Sequence, residues 1–122
     1  MTQAALVTGA AGFIGSHVAE HLLALGYPVL GVDNFDDFYS PAIKRRNIRA
    51  LEGRDGFQLI EGDIRDTHFL EQVFSENHID VVMHLAARAG VRPSLEQPLL
   101  YQDVNIKGTV DLLEVSHKFG VK

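Results

Sequence analysis

Residues 8–15 read Thr-Gly-Ala-Ala-Gly-Phe-Ile-Gly and follow directly on the apolar run Ala4-Ala5-Leu6-Val7. Few local structures accommodate three glycines spaced G-x-x-G-x-x-G between a buried strand and an amphipathic stretch. The strand ends in a tight turn that opens a helix, which aims backbone N–H groups and a helix N-terminus at one point, and such a point suits a phosphate. The spacing differs from the G-x-G-x-x-G of the usual dinucleotide fingerprint, so the trio gains its meaning from context: strand before, helix after, and an acid downstream. Gly9 permits the tight turn, Gly12 leaves room for a pyrophosphate against the backbone, and Gly15 lets the helix lie close to the strand.

Apolar runs at residues 4–7, 28–32, 57–60 and 80–85 are rich in Val, Ile or Leu and do not alternate with polar residues. Runs of this kind suit strands buried on both faces of a parallel sheet. Helical patterns separate them. Ile14, Val18, Leu22 and Leu25 form one apolar face, closed by Gly26. Residues 41–51 follow Ser40 as N-cap and Pro41 in the first turn. A third helix follows Asp66 or Thr67. A fourth runs from near Pro98 to Phe119, with Gly120 as its stop. The pattern β-α-β-α-β-α-β-α implies an α/β fold, a parallel sheet of strand order 3-2-1-4 with right-handed crossovers and helices on both faces. Residues 34–40 and 86–98 are the long loops. One domain fits 122 residues, and the formal charge of −5 argues against a nucleic-acid partner. Without cysteine there is no disulfide or thiolate site. With no signal-peptide layout or membrane-length apolar stretch, the expected location is the cytoplasm.

Asp33 ends the second run, where a carboxylate accepts hydrogen bonds from the adenosine ribose hydroxyls and repels a 2′-phosphate, so NAD is expected over NADP. Lys44, Arg45 and Arg46 could instead favour the phosphate; they read as a solvated helix face. Asp63 is placed to accept the adenine amino group and Ile64 to pack on the ring. After the fourth run, small residues at Ala86, Ala87 and Ala89 let a flat cofactor lie against the backbone. Arg88 and Arg92 stand at the C-terminal edge of the sheet, ready for an anionic ligand. His84 lies inside the strand and reads as structural. His17 and His21 match H-x-x-E-H, a zinc pattern, but this helix must pack on the sheet and no third ligand is evident, so no metal is expected. The last helix carries two apolar stripes, one through Val104, Gly108, Leu112, Val115 and Phe119 and a second through Ile106, Val110 and Leu113. A helix apolar on two sides implies either a partner for the second stripe or a redundant core.

The stretches TGAAGFIGSHV, VDNFDDFYSPAIKRRN, EGDIRD, HLAARAGVRPSLEQP and NIKGTVDLLE together resemble the extended short-chain dehydrogenase/reductase family, in particular its nucleotide-sugar epimerases and dehydratases. The likeness is strongest to UDP-glucuronate 4-epimerases, through DNFDDFY together with HLAARAGVR. It implies a Rossmann-type domain. It places Gly9, Gly12, Phe13, Ile14, Gly15, Asp33, Asn34, Ser40, Asp63, Ile64, Leu85, Ala86, Ala87 and Arg88 around NAD, with Asn105 supporting the active site. Ala89, Val91, Arg92 and Ser94 fall towards a UDP-sugar. In such enzymes bound NAD oxidises C4 of the sugar and returns hydride to the other face, while a Tyr-x-x-x-Lys pair drives proton transfer. Tyr27, Tyr39 and Tyr101 are followed four positions later by Gly31, Ile43 and Asn105, so that pair is not present. The expectation is therefore the N-terminal fragment of an epimerase, ending after the fourth strand–helix unit and inactive by itself, with a homodimer or self-association through the 99–119 helix or the open sheet edge. The alternatives are a non-catalytic NAD-binding or protein-interaction module, and a fragment of an NAD-dependent dehydratase or reductase.

Overall fold

A computed structural model describes residues 3–36 and 40–121. Asp37, Phe38 and Tyr39 of the DNFDDFY stretch lie outside the described residues, as does Lys122. Four strands, β1 (Ala5–Thr8), β2 (Val29–Asp33), β3 (Phe57–Glu61) and β4 (Val81–His84), form one parallel sheet in the order β3-β2-β1-β4. Helices α1 (Phe13–Ala24), α2 (Pro41–Glu52) and α3 (Thr67–Glu76) connect them. This is the Rossmann-type arrangement expected from the sequence.

The side-chain alternation of each strand feeds two cores. Ala5, Val7 and Val29 pack with Ala19 and Leu22 of α1 and with Ile48 and Leu51 of α2. Leu6, Leu30 and Val32 face the other way, onto Leu70, Val73 and Phe74 of α3 and onto Leu112 and Val115 near the C-terminus. Central strands β1 and β2 are buried throughout, which is why they read as unbroken apolar runs. β3 and β4 are half-exposed, because each has a neighbouring strand on one side.

Local chemistry sets the helix ends as the sequence predicts. Ser40 Oγ accepts from Ala42 N, with Pro41 at the first position. Between the two candidates for the third cap, Asp66 serves, accepting from Phe69 N at 3.1 Å. Tyr27 N donates to Leu22 O and Gly26 N to Leu23 O, the paired bonds that close α1.

Three expectations are corrected. The buried face of α1 is Gly15, Ser16, Ala19 and Leu22, while Ile14 and Leu25 are more than 60% exposed; small residues bring the helix close to the sheet and push its large side chains outward. The 86–98 loop contains a short helix, α4 (Val91–Glu96). The final helix is not one regular rod: α5 (Pro98–Gln102) passes through a π-helical turn at Asp103–Lys107 into α6 (Gly108–Lys118). Its two apolar stripes behave differently. Gly108, Leu112 and Val115 are buried, and Ile106, Val110 and Leu113 are exposed.

Candidate functional site

The C-terminal ends of all four strands meet one cavity of about 400 Å³. β1 lies between β2 and β4, so the crossovers leave it in opposite directions and open a crevice there. The glycine turn forms the first wall. Gly9 has φ 69°, and Gly12 N donates back to its carbonyl at 3.0 Å. A Cβ on Gly9 would sit 2.9 Å from the backbone of Leu85 and Ala86, and one on Gly15 would sit 1.9 Å from the Gly9 carbonyl oxygen. The close approach that needs Gly15 is therefore to the turn itself. Gly12 is the N-cap of α1 and contributes no side-chain cap, so the first N–H groups of the helix are left for an acceptor from outside. Phe13 and Ile14 line the cavity beside it and are largely exposed.

Asp33 and Asn34 form the second wall. Asp33 is 5% exposed. Its Oδ2 accepts from Ala11 N at 3.0 Å, which ties the end of β2 to the glycine turn. Its Oδ1 accepts from Phe35 N at 2.7 Å and meets Lys44 Nζ at 3.4 Å. Lys44 is 7% exposed and lines the cavity, so its assignment to a solvated face is overturned: α2 packs against α1 and β3, and its Lys44 reaches the carboxylate at the end of β2. Arg45 and Arg46 stay on the exposed side, Arg45 pairing with Glu61 and lying 3.8 Å over the Phe35 ring.

The third wall comes from the end of β3. Ile64 is 4% exposed and belongs to the core as well as to the cavity. Asp63 is gripped by Arg65, whose Nε reaches both carboxylate oxygens at 3.0 Å and whose Nη2 reaches Oδ2 at 2.6 Å. Asn34 Nδ2 adds a bond at 3.2 Å, linking this wall to the second. Burial by itself would raise the Asp63 pKa, but the bonds from Arg65 and Asn34 outweigh it and hold the carboxyl below its ordinary value. Arg65 in turn is raised, first by its bonds to Asp63 and then by Asp103.

Leu85, Ala86, Ala87, Arg88 and Ala89 complete the enclosure. Arg88 Nη1 meets Asp36 Oδ1 at 2.7 Å, joining this wall to the loop after β2. Asn105 lies outside the lining and clamps the Arg88 backbone, accepting from its N at 2.8 Å and donating to its O at 3.0 Å. Tyr101 Oη donates to Ala89 O at 2.7 Å. His84, read as structural, bonds Thr8 at 2.7 Å and Thr109 at 2.8 Å, and burial lowers its pKa.

Ser40 caps α2 outside the lining, and Val91, Arg92 and Ser94 sit on α4 beyond it. Val32, Asp36 and Gly62 line the cavity without having been singled out, and so does Val104, named only for an apolar stripe of the last helix. Val32 and Gly62 adjoin residues that were, which is the signal available for them. Val104 comes from the π-helical turn, a feature that recurs at functional sites and has no sequence signature. His17 Nδ1 donates to the Phe13 carbonyl at 2.7 Å. Among the described residues no helix is long and apolar enough to cross a membrane.

The profile of the GDP-mannose 4,6 dehydratase family matches residues 6–122. UDP-glucuronate 4-epimerase of Thermodesulfobacterium geofontis is 49% identical over 117 residues, 96% of this chain and 36% of the relative. UDP-glucuronate 4-epimerase 4 of Arabidopsis thaliana is 50% identical over 110 residues, 90% of this chain and 25% of the relative. The chain thus spans about a quarter to a third of the length of these relatives. The crystal structure of UDP-glucuronic acid 4-epimerase from Bacillus cereus, in complex with UDP-glucuronic acid and NAD, superposes with a TM-score of 0.84 at 43% identity, covering 93% of this chain and 36% of that one. UDP-glucose 4-epimerase from Thermus thermophilus, in complex with NAD, superposes with a TM-score of 0.84 at 38% identity, covering 98% of this chain and 35% of that one.

Proposed function

The chain belongs to the GDP-mannose 4,6 dehydratase family, and from that premise we propose that it is the NAD-holding portion of a cytoplasmic nucleotide-sugar 4-epimerase acting on UDP-glucuronate. The observation that carries the proposal is the cavity wall where a glycine turn, closed to a Cβ at Gly9 and at Gly15, meets the buried carboxylate of Asp33. The two are tied by the Ala11–Asp33 bond, so a phosphate site and a ribose-hydroxyl acceptor are held in fixed register.

The residues fit a dinucleotide. Gly9, Gly12, Phe13, Ile14 and Gly15 take the pyrophosphate at the N-terminus of α1. Asp33 and Asn34 take the adenosine ribose, and Asp63 and Ile64 take the adenine. Leu85, Ala86, Ala87 and Arg88 border the nicotinamide half, with Asn105 fixing the backbone of Arg88 and Ser40 setting the start of α2. Ala89, Val91, Arg92 and Ser94 extend towards the sugar nucleotide. NAD bound there would supply hydride acceptance and return at C4 of the sugar. General acid–base catalysis needs a proton acceptor beside the sugar hydroxyl, and the 122 residues hold no Tyr-x-x-x-Lys. The isolated chain therefore binds cofactor without turning over UDP-glucuronate.

Titration calorimetry with NAD, AMP and UDP-glucuronate tests this. Binding of NAD and AMP with no epimerisation is expected. Failure to bind either nucleotide at millimolar concentration refutes the cofactor reading, and turnover by the purified chain refutes its proposed inactivity.

A further inference from the structure

The hydrogen bonds around His84 leave its two ring nitrogens different roles. Thr8 Oγ1 accepts from Ala86 N at 3.1 Å and from Leu85 N at 2.9 Å, the shorter arm of an N–H that also reaches the Thr8 carbonyl at 3.3 Å. A hydroxyl has two lone pairs and one proton, so with both pairs engaged the Thr8 proton points at its third neighbour, His84 Nδ1, at 2.7 Å. Nδ1 is then an acceptor and carries no hydrogen. The ring's other nitrogen, Nε2, lies 2.8 Å from Thr109 Oγ1. That hydroxyl spends its own proton on the Asn105 carbonyl at 2.7 Å, so it can only accept from His84, and Nε2 carries the hydrogen. His84 is neutral and in one tautomer. A second proton on Nδ1 would face the Thr8 hydroxyl proton, and burial opposes the charge as well.

The relay connects parts that are far apart in sequence. Thr8 precedes Gly9, whose missing side chain leaves space filled by the Leu85 and Ala86 backbone. Thr109 bonds the Asn105 carbonyl within the π-helical turn, and the Asn105 side chain clamps the Arg88 backbone. One imidazole thus spans the glycine turn and the helix that holds the β4 wall of the cavity.

We infer that His84 is a positioning residue of the dinucleotide site, locked as the neutral Nε2–H tautomer by Thr8 and Thr109, and that it sets the β4 wall against the glycine turn for the nicotinamide half of the cofactor. This rests on the dinucleotide reading above. The adenosine end, at Asp33, Asp63 and Ile64, is held by other bonds.

Two measurements decide it. Nitrogen-15 spectra of the histidine rings at pH 7.5 report protonation at each nitrogen. The expected His84 signals are an unprotonated Nδ1 and a protonated Nε2, and the loss of that pattern in Thr8→Val identifies Thr8 as its cause. A protonated Nδ1, or averaged signals like those of exposed histidines, overturns the lock. Calorimetry on Thr109→Val, which keeps the side-chain volume and removes the acceptor, is expected to weaken NAD about fivefold, the size of one lost neutral hydrogen bond, and to leave AMP affinity unchanged. His84→Gln, whose amide can still donate to Thr109, should recover most of the NAD affinity lost in His84→Ala. Equal losses for NAD and AMP, or unchanged NAD affinity in both Thr109→Val and His84→Ala, overturn the positioning role. If wild type binds no nucleotide while the tautomer is as stated, the cofactor reading falls and the relay stands.

Discussion

Gly15→Ala isolates the contribution of the glycine turn. The added Cβ would lie 1.9 Å from the Gly9 carbonyl oxygen and 2.7 Å from its carbon, where real Cβ atoms keep at least 3.0 Å. Both neighbours are backbone, so relief requires moving the start of α1 away from the turn by roughly 1 Å, at an overpacking cost of about 1–3 kcal/mol. Alanine in a helix recovers about 0.5–1 kcal/mol over glycine. The net loss is on the order of 1–2 kcal/mol, which lowers Tm by roughly 3–8 °C in a chain of this size. NAD affinity should fall about tenfold or more, because the N–H groups that meet the pyrophosphate shift together and one charge-assisted bond is worth about 1.5–3 kcal/mol. Gly53→Ala is the control: nothing lies within 4 Å of its Cβ position and φ is −92°, so binding should stay at the wild-type value and melting should hold or rise, by no more than the ~0.4–1 kcal/mol that a compatible Gly→Ala change contributes. Differential scanning calorimetry and NAD titration measure both effects. A Gly15→Ala protein that melts and binds like wild type would show that the turn is not packed as described.

Asp33→Asn removes the charge that opposes a 2′-phosphate while keeping an acceptor, so the preference for NAD over NADP should narrow in parallel titrations; an unchanged ratio counts against Asp33 as the discriminating group. The same change removes the carboxylate charge beside buried Lys44 and should lower stability in urea by about 1–3 kcal/mol. The depressed pKa of His84 makes stability pH-dependent with a fixed sign. Above the unfolded-state value of 6.5 its contribution is fully present, and it is lost as pH falls through the lower folded value, because the unfolded chain takes up the proton first. Urea titrations between pH 7.5 and 5 should show a smaller decline in His84→Gln than in wild type. Val110 is 54% exposed between Ile106 and Leu113, which are 60% and 64% exposed. Val110→Glu should shift any associated species towards monomer in sedimentation, and an unchanged distribution would exclude this stripe as the contact.

Sequence alone determined the features whose causes lie within a few residues. The glycine spacing announces the turn because few other residues tolerate φ 69° at Gly9 or the contact at Gly15. Unbroken apolar runs announce parallel strands, and their alternation with helical patterns narrows the strand order to 3-2-1-4. Ser40, Asp66 and Gly26 mark helix ends because capping is local chemistry. The residues expected around the cofactor were legible as motif positions, and the fold brings Gly9, Asp33, Asp63 and Ala86 to one cavity. What tertiary structure decided are the choices that depend on which faces meet. Helix α1 buries its small residues because the sheet lies close beneath it, so the apolar stripe of Ile14 and Leu25 was a poor guide. Lys44 turns inward to the carboxylate that ends β2, eleven residues back in the chain, a proximity that no local pattern encodes. The grip of Arg65 on both Asp63 and Asp103 spans separate elements. So does the Thr8–His84–Thr109 relay, whose partners become neighbours when β1 pairs with β4 and the last helix packs across them. Hydrogen bonds of that kind depend on a few tenths of an ångström between distant segments, and only the assembled sheet and helices provide it.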